Sequence, residues 1–210
     1  MKRRDFAIGL ALVPVATTFA LAAADLTEGK DYVVLSTPQP LAVAGKLEVI
    51  EFFGYWCPHC SAFEPRLDAW IKTLAADVNF RRIPVAWQDP HIPYQKLYYA
   101  LEALGVGSAV HPKVFKAFHE LHLRLDSDAA IAAFATGIGV DKGKLADAMN
   151  SFSVASKIQL ASQQTKNYQI EGVPTLVVNG KYLTSPELAA GEVQSLRVVD
   201  ALLQKARSQH

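Results

Sequence analysis

An α/β protein with a helical domain inserted in the middle is the architecture this sequence predicts, and three observations carry it. The run Val49-Ile50-Glu51-Phe52-Phe53 is almost wholly apolar, as strands buried on both faces of a sheet are. From about Pro93 to Phe152 the chain turns helical and alanine-rich. Strand character then returns at Thr175 to Val178, followed by the hairpin-turn dipeptide Asn179-Gly180. At 210 residues, half of them hydrophobic, the chain can build a full core and carry such an insertion.

The N-terminus reads as an export signal. A basic group, Lys2-Arg3-Arg4, precedes an uncharged stretch of 19 residues, Phe6 to Ala24, that closes on the small residues Ala22-Ala23-Ala24. Cleavage near Ala24 is expected, giving a signal peptide over 1–24 and one domain over 25–210, with the helical insertion at about 90–152. An uncleaved membrane anchor is the rival reading, weakened by Pro14, Thr17 and Thr18. Arg3-Arg4 leaves both the Sec and the twin-arginine routes open. Net charge is +1, from 21 basic and 20 acidic residues well mixed along the chain, and cleavage would leave −1. That balance leaves no electrostatic footprint for nucleic acid or an anionic membrane surface.

Along the mature chain, Asp31 to Ser36 and Lys46 to Tyr55 read as strands, the second central to the sheet. A helical pattern follows, with Phe63, Leu67, Trp70, Ile71 and Leu74 at spacings of three and four, and Pro65 predicts a kink within it. Val78 to Ala86 reads as strand again, where Pro84 marks a sheet edge or a strand end. The insertion holds three or four helices, separated by Gly105-Val106-Gly107 and Gly137-Ile138-Gly139. Val154 to Tyr168 continues as helix, Gly172-Val173-Pro174 breaks it, and Thr175 to Val178 pairs through Asn179-Gly180 with Lys181-Tyr182-Leu183. An amphipathic helix, Val193 to Ala206, closes the chain.

The chemistry concentrates in Cys57-Pro58-His59-Cys60, which holds the only two cysteines. A disulfide across two residues closes too short a loop to staple a domain, so in an exported chain the pair points to redox chemistry. Pro58 suits the first turn of a helix, which puts Cys57 at the N-cap, where free N–H groups and the helix dipole favour a thiolate. His59 adds a positive neighbour, and Cys60, one turn on, is placed to resolve a mixed disulfide. Half of a zinc site is the competing reading, with His119 and His122 as further ligands. Their spacing is shorter than zinc fingers use, and no second cysteine pair exists, so no metal is expected. Glu51, inside an apolar strand, should have a raised pKa and could relay a proton to or from Cys60, with a solvated strand end as the bland alternative. Arg81 and Arg82 are nearby, but the sequence does not pair either with it. Tyr55, Trp56 and His91 line either a surface groove or the core, and His119 and His122 are expected on a solvated helix face.

The run from Val49 to Cys60 resembles the active-site segment of the DsbA family of periplasmic disulfide oxidases, and Gly172-Val173-Pro174-Thr175 with Val177-Val178-Asn179-Gly180-Lys181-Tyr182 is similar to that family's cis-proline loop and hairpin. The resemblance spans most of the mature chain and implies a thioredoxin-like fold. It implies further that Cys57 is an exposed nucleophile, acidic as that family's is, Cys60 the buried resolver, His59 the tuner and Pro174 a cis-proline. Val173 would then pair with an extended substrate by strand addition. The implied activity is donation of the Cys57–Cys60 disulfide, with no other cofactor, to reduced unfolded secreted proteins in the periplasm. Reoxidation would fall to a membrane quinone-coupled partner of the DsbB type, and a monomer is expected. A reductase or isomerase of the same fold, or a metal- or substrate-binding module without turnover, are the alternatives.

Overall fold

The computed structural model describes residues 26–209; the signal segment over 1–24 lies outside the described residues. One five-stranded sheet, ordered β1-β5-β4-β2-β3, forms the centre. β2 (Leu47–Phe53) is its buried middle strand, and every one of its seven residues is buried. It pairs in parallel with β3 (Val78–Pro84), to which a helical crossover connects it, and antiparallel with β4 (Thr175–Val178), which joins the sheet after the helical insertion. β3 is an edge strand and Pro84 is its last residue, so the expected edge and strand end are both present. β1 (Val33–Val34), at the other edge, is shorter than its sequence pattern suggests and pairs with β5 (Tyr182–Thr184). Asn179 and Gly180 turn the β4–β5 hairpin with φ of 51° and 66°, the left-handed region such a tight turn requires.

Alternation along β2 sends its residues to different cores. Leu47 and Val49 face α1 (Pro58–Ile71) and α7 (Glu192–Arg207), in a core with Phe63, Leu67, Trp70, Leu196 and Val199. Ile50 and Phe52 face the other side, where Ala161 of α6 (Phe152–Asn167) and Tyr168 cover them. Glu51 shares the parity of Val49, so it points toward α1. The helix α1 continues through Pro65 to Ile71, and Leu74 lies beyond its end.

The insertion comprises four helices: α2 (Ile92–Ala103), α3 (Gly107–His119), α4 (Asp128–Gly137) and α5 (Lys142–Met149), entered through a 3-10 turn at Asp89–His91. Their apolar faces bury Leu97, Leu101, Val114, Phe115, Ile131 and Leu145 in a third core that also takes in Phe53, Tyr55, Cys57 and Cys60. The reactive pair therefore sits where the sheet domain and the insertion share one core. Among the described residues no helix is long and apolar enough to cross a membrane.

Candidate active site

Cys57 is the N-cap of α1 and Pro58 its first helical residue, the arrangement expected from the missing N–H and fixed φ of proline. The Cys57 Sγ accepts a hydrogen bond from the Cys60 N–H at 3.4 Å. In the free-thiol state present here it lies 3.3 Å from the carbonyl oxygen of Val173, to which its S–H donates. That contact brings the Val173-Pro174 loop across from the pair, and the bond between those residues is cis. An open groove of about 770 Å³ runs beside it, lined by His59, Val173, Pro174, Leu35 and Leu183.

The two sulfurs are held in opposite conditions. The interaction with the Cys60 thiol, helped by the N–H groups of Cys60 and His59 and by the His59 charge, brings Cys57 down to about 6 against the effect of burial. Burial, with the Cys57 contact and the Glu51 charge adding to it, pushes Cys60 far above the ordinary thiol range. Exposure separates them less than expected. Cys57, expected to be exposed, is itself covered, 4% exposed against 0% for Cys60, because the cis-proline loop and the insertion close around it. His59 and Pro58 are exposed on the first turn of α1.

Glu51 is fully buried, so the solvated alternative falls. Desolvation raises it to about 7 against the opposing charge of Arg82. Arg82, its register partner on β3, donates from Nε to Glu51 Oε2 at 2.8 Å and from Nη2 to Glu64 Oε1 at 2.8 Å. Glu64 lies on the buried stripe of α1 with Cys60, Phe63, Leu67 and Trp70, and burial raises it also to about 7. Neither Arg82 as the partner nor Glu64 as the second acid was assigned from sequence. The four-residue step from Cys60 to Glu64 on an apolar stripe was a usable signal for the acid, whereas finding the base required the β2–β3 register.

Other side chains separate as follows. Tyr55 is core, 1% exposed, while Trp56 stacks on His91 with ring centroids 4.1 Å apart and carries Trp87 edge-on at 5.6 Å, giving an aromatic surface beside Cys57. Gly54 permits this: a Cβ there would lie 2.5 Å from the Trp56 indole nitrogen. His119 departs from the expected solvated face. It is half-buried and its Nε2 lies 2.8 Å from the Tyr55 carbonyl oxygen, a bond that pins α3 to the segment before Cys57. His122 is exposed, but in the loop after α3 and not on a helix. Among the described residues no three His, Cys, Asp or Glu side chains gather as a metal ion needs.

Two thiols this unlike, one helical turn apart and facing a cis-proline loop, are suited to exchanging a disulfide with a third thiol, and the chain is a thiol–disulfide oxidoreductase of thioredoxin-like fold. Residues 48–194 match the family model of the DSBA-like thioredoxin domain. The chain belongs to the DsbA family. It is 44% identical over 180 residues to the thiol:disulfide interchange protein DsbA of Burkholderia cepacia, covering 85% of each chain. It is 40% identical to that of Pseudomonas aeruginosa, covering 94% of this chain and 95% of the relative. The crystal structure of Pseudomonas aeruginosa DsbA superposes with a TM-score of 0.85 at 41% identity, covering 88% of this chain and 96% of that one. The oxidoreductase DsbA of Xylella fastidiosa gives 0.81 at 32% identity, covering 87% and 98%.

Proposed function

We propose that the protein works in the oxidising direction, donating the Cys57–Cys60 disulfide to reduced secreted proteins in the periplasm. The observation that carries this reading is the contrast between the two sulfurs: a Cys57 anion is stabilised at the helix N-cap, so the reduced pair is favoured and the disulfide is given up readily. A substrate thiolate attacks Cys57 Sγ, the Cys57–Cys60 bond breaks, and its electron pair leaves on Cys60 Sγ, which takes up a proton. A second substrate thiol, its proton lost to solvent, then attacks as thiolate the substrate sulfur of the mixed disulfide. The substrate disulfide forms, Cys57 leaves as thiolate, and two electrons have passed from substrate to enzyme.

In this mechanism Pro58 starts the helix that stabilises Cys57, His59 adds to that stabilisation, and Glu51 supplies the proton to Cys60. The backbone of Val173, beside Pro174, pairs with extended substrate along the groove at His59, which favours unfolded clients with little sequence preference. The disulfide itself is the only redox group the cycle needs. The reduced protein is returned to the disulfide form by a membrane quinone-coupled reoxidase of the DsbB type, and it acts as an exported monomer after loss of residues 1–24. The test is redox equilibrium in glutathione buffers. The expected result is a pair that remains reduced where a dithiol with unshifted thiols is oxidised. A pair no easier to reduce than such a dithiol would favour the reductase alternative.

A further inference from the structure

Behind the reactive pair lies a buried polar chain that disulfide exchange at Cys57 does not by itself require. Arg82 bridges Glu51 and Glu64 with a single positive charge. Two ionised carboxylates there would leave one buried negative charge uncompensated, so near neutrality the pair holds one proton between them. Which acid carries it depends on their remaining contacts. Glu51 Oε1 has no hydrogen-bond partner. Glu64 Oε2 lies 3.4 Å from His111 Nε2 of α3, and neither atom has a hydrogen-bond partner.

The other ring nitrogen, Nδ1, lies 2.7 Å from the Tyr55 hydroxyl. Burial lowers His111 to about 3, with Arg82 adding to it, so the ring is neutral and carries one N–H. Burial also keeps the Tyr55 hydroxyl protonated, and His111 is the one hydrogen-bond partner of that hydroxyl among the described residues. Tyr55 therefore donates to Nδ1, and the ring proton is left on Nε2, facing Glu64.

We propose that His111 is a positioning residue: held by Tyr55, it turns an N–H toward Glu64, stabilises the Glu64 carboxylate, and thereby keeps on Glu51 the proton that the two acids share. This rests on the reading of Glu51 as proton donor to Cys60. In the step itself, the Glu51 carboxyl gives its proton to the Cys60 thiolate as the Cys57–Cys60 bond breaks, leaving a carboxylate paired with Arg82. A second groove, of about 480 Å³ and containing neither cysteine, is lined by Arg82, Tyr98, Glu102 and His111, and gives this network its opening to solvent for reprotonation. The groups facing the His111–Glu64 contact are Glu51 from β2, Tyr55 after it, Asp68 on α1, Arg82 from β3, and Tyr98 and Glu102 from α2.

The experiment is the pH profile of disulfide donation to a reduced peptide, expressed per peptide thiolate, for the full protein and three variants. His111→Leu should lower the rate on the plateau below the alkaline fall several-fold and move the midpoint of the fall up by as much as about one pH unit, since without the N–H facing its carboxylate Glu64 takes the shared proton from Glu51. His111→Gln, which keeps an N–H for Glu64, should reverse most of both changes. Glu51→Gln should abolish the fall. If Glu51→Gln leaves the fall in place, the proton-donor reading fails and this inference with it. If Glu51→Gln abolishes it but His111→Leu changes neither plateau nor midpoint, or if Leu and Gln act alike, the role of His111 alone is overturned. Nitrogen-15 NMR of the His111 ring in the unaltered protein gives a second decision free of folding effects. A proton on Nε2 supports the inference, and one on Nδ1 overturns it.

Discussion

Oxidising the pair should cost the fold progressively more stability as pH rises. The disulfide closes a four-residue loop, Cys57 to Cys60, which constrains the unfolded chain by only about 2 kcal/mol. Against it stands the thiolate. Cys57 held at about 6 when folded, against ~8.5 unfolded, stabilises the reduced protein by about 1.4 kcal/mol at pH 7 and about 2.5 kcal/mol at pH 8. Because this pKa is depressed on folding, the contribution is complete only above the unfolded value and disappears as pH falls through about 6. Cys60, raised on folding, acts in the opposite sense only where the unfolded thiol ionises, so the comparison is cleanest below about pH 8. The reduced form should thus become the more stable one above a crossing near pH ~7.4. The assay is urea unfolding of both redox forms from about pH 5 to about pH 8, which cancels to first order the titrations the two forms share. The stability of the reduced form, relative to the oxidised, should rise by about 2.5 kcal/mol across that range. A difference that stays flat, or falls with pH, would refute the idea that the helix N-cap holds a thiolate.

His59→Ala should reduce that pH-dependent rise by removing a positive charge beside Cys57, as read by thiolate ultraviolet absorbance and by the same unfolding curves. Alkylation of the reduced protein should label Cys57 well before Cys60, since the second sulfur is fully covered and held as the thiol; peptide mapping that found Cys60 labelled first would reverse their roles. Cys60→Ala should accumulate mixed disulfides with peptides that carry a disulfide, visible by non-reducing electrophoresis: the Cys57 thiolate attacks one peptide sulfur, the other leaves as thiolate, and no Cys60 thiol remains to displace the peptide from Cys57. Arg82→Leu should destabilise the protein by about 3–5 kcal/mol above neutral pH, by leaving Glu51 and Glu64 buried without their cation. A carboxyl whose pKa is raised on folding loses stability as pH rises above its unfolded value, so this deficit should shrink toward about pH 5. Equal destabilisation at both ends of the range would mean that the lost packing of Arg82, and not its charge, is responsible.

What the sequence determined by itself is the part of the protein encoded within a few residues. Cys57-Pro58 sets an N-cap because proline lacks the N–H a first helical turn does not need, and the apolar stripe from Cys60 to Trp70 carries α1 along the sheet. The continuous apolar run of β2 predicts a strand covered on both faces, and Asn179-Gly180 predicts the hairpin because both residues tolerate positive φ. Even the burial of Glu51 follows from its apolar neighbours. The cis state of Val173-Pro174 was legible only through the family resemblance, since residues alone do not distinguish it from an ordinary trans bond. Tertiary structure alone decided what surrounds that chemistry. Arg82 meets Glu51 through parallel strand register, His111 reaches Glu64 and Tyr55 from another helix, and His119 is drawn inward by the Tyr55 carbonyl. Cys57 is likewise covered by a loop more than a hundred residues away in the chain. The physical reason is one of range: hydrophobic period and backbone φ preference act within a single turn or strand, whereas charge pairing and burial depend on which distant segments pack together.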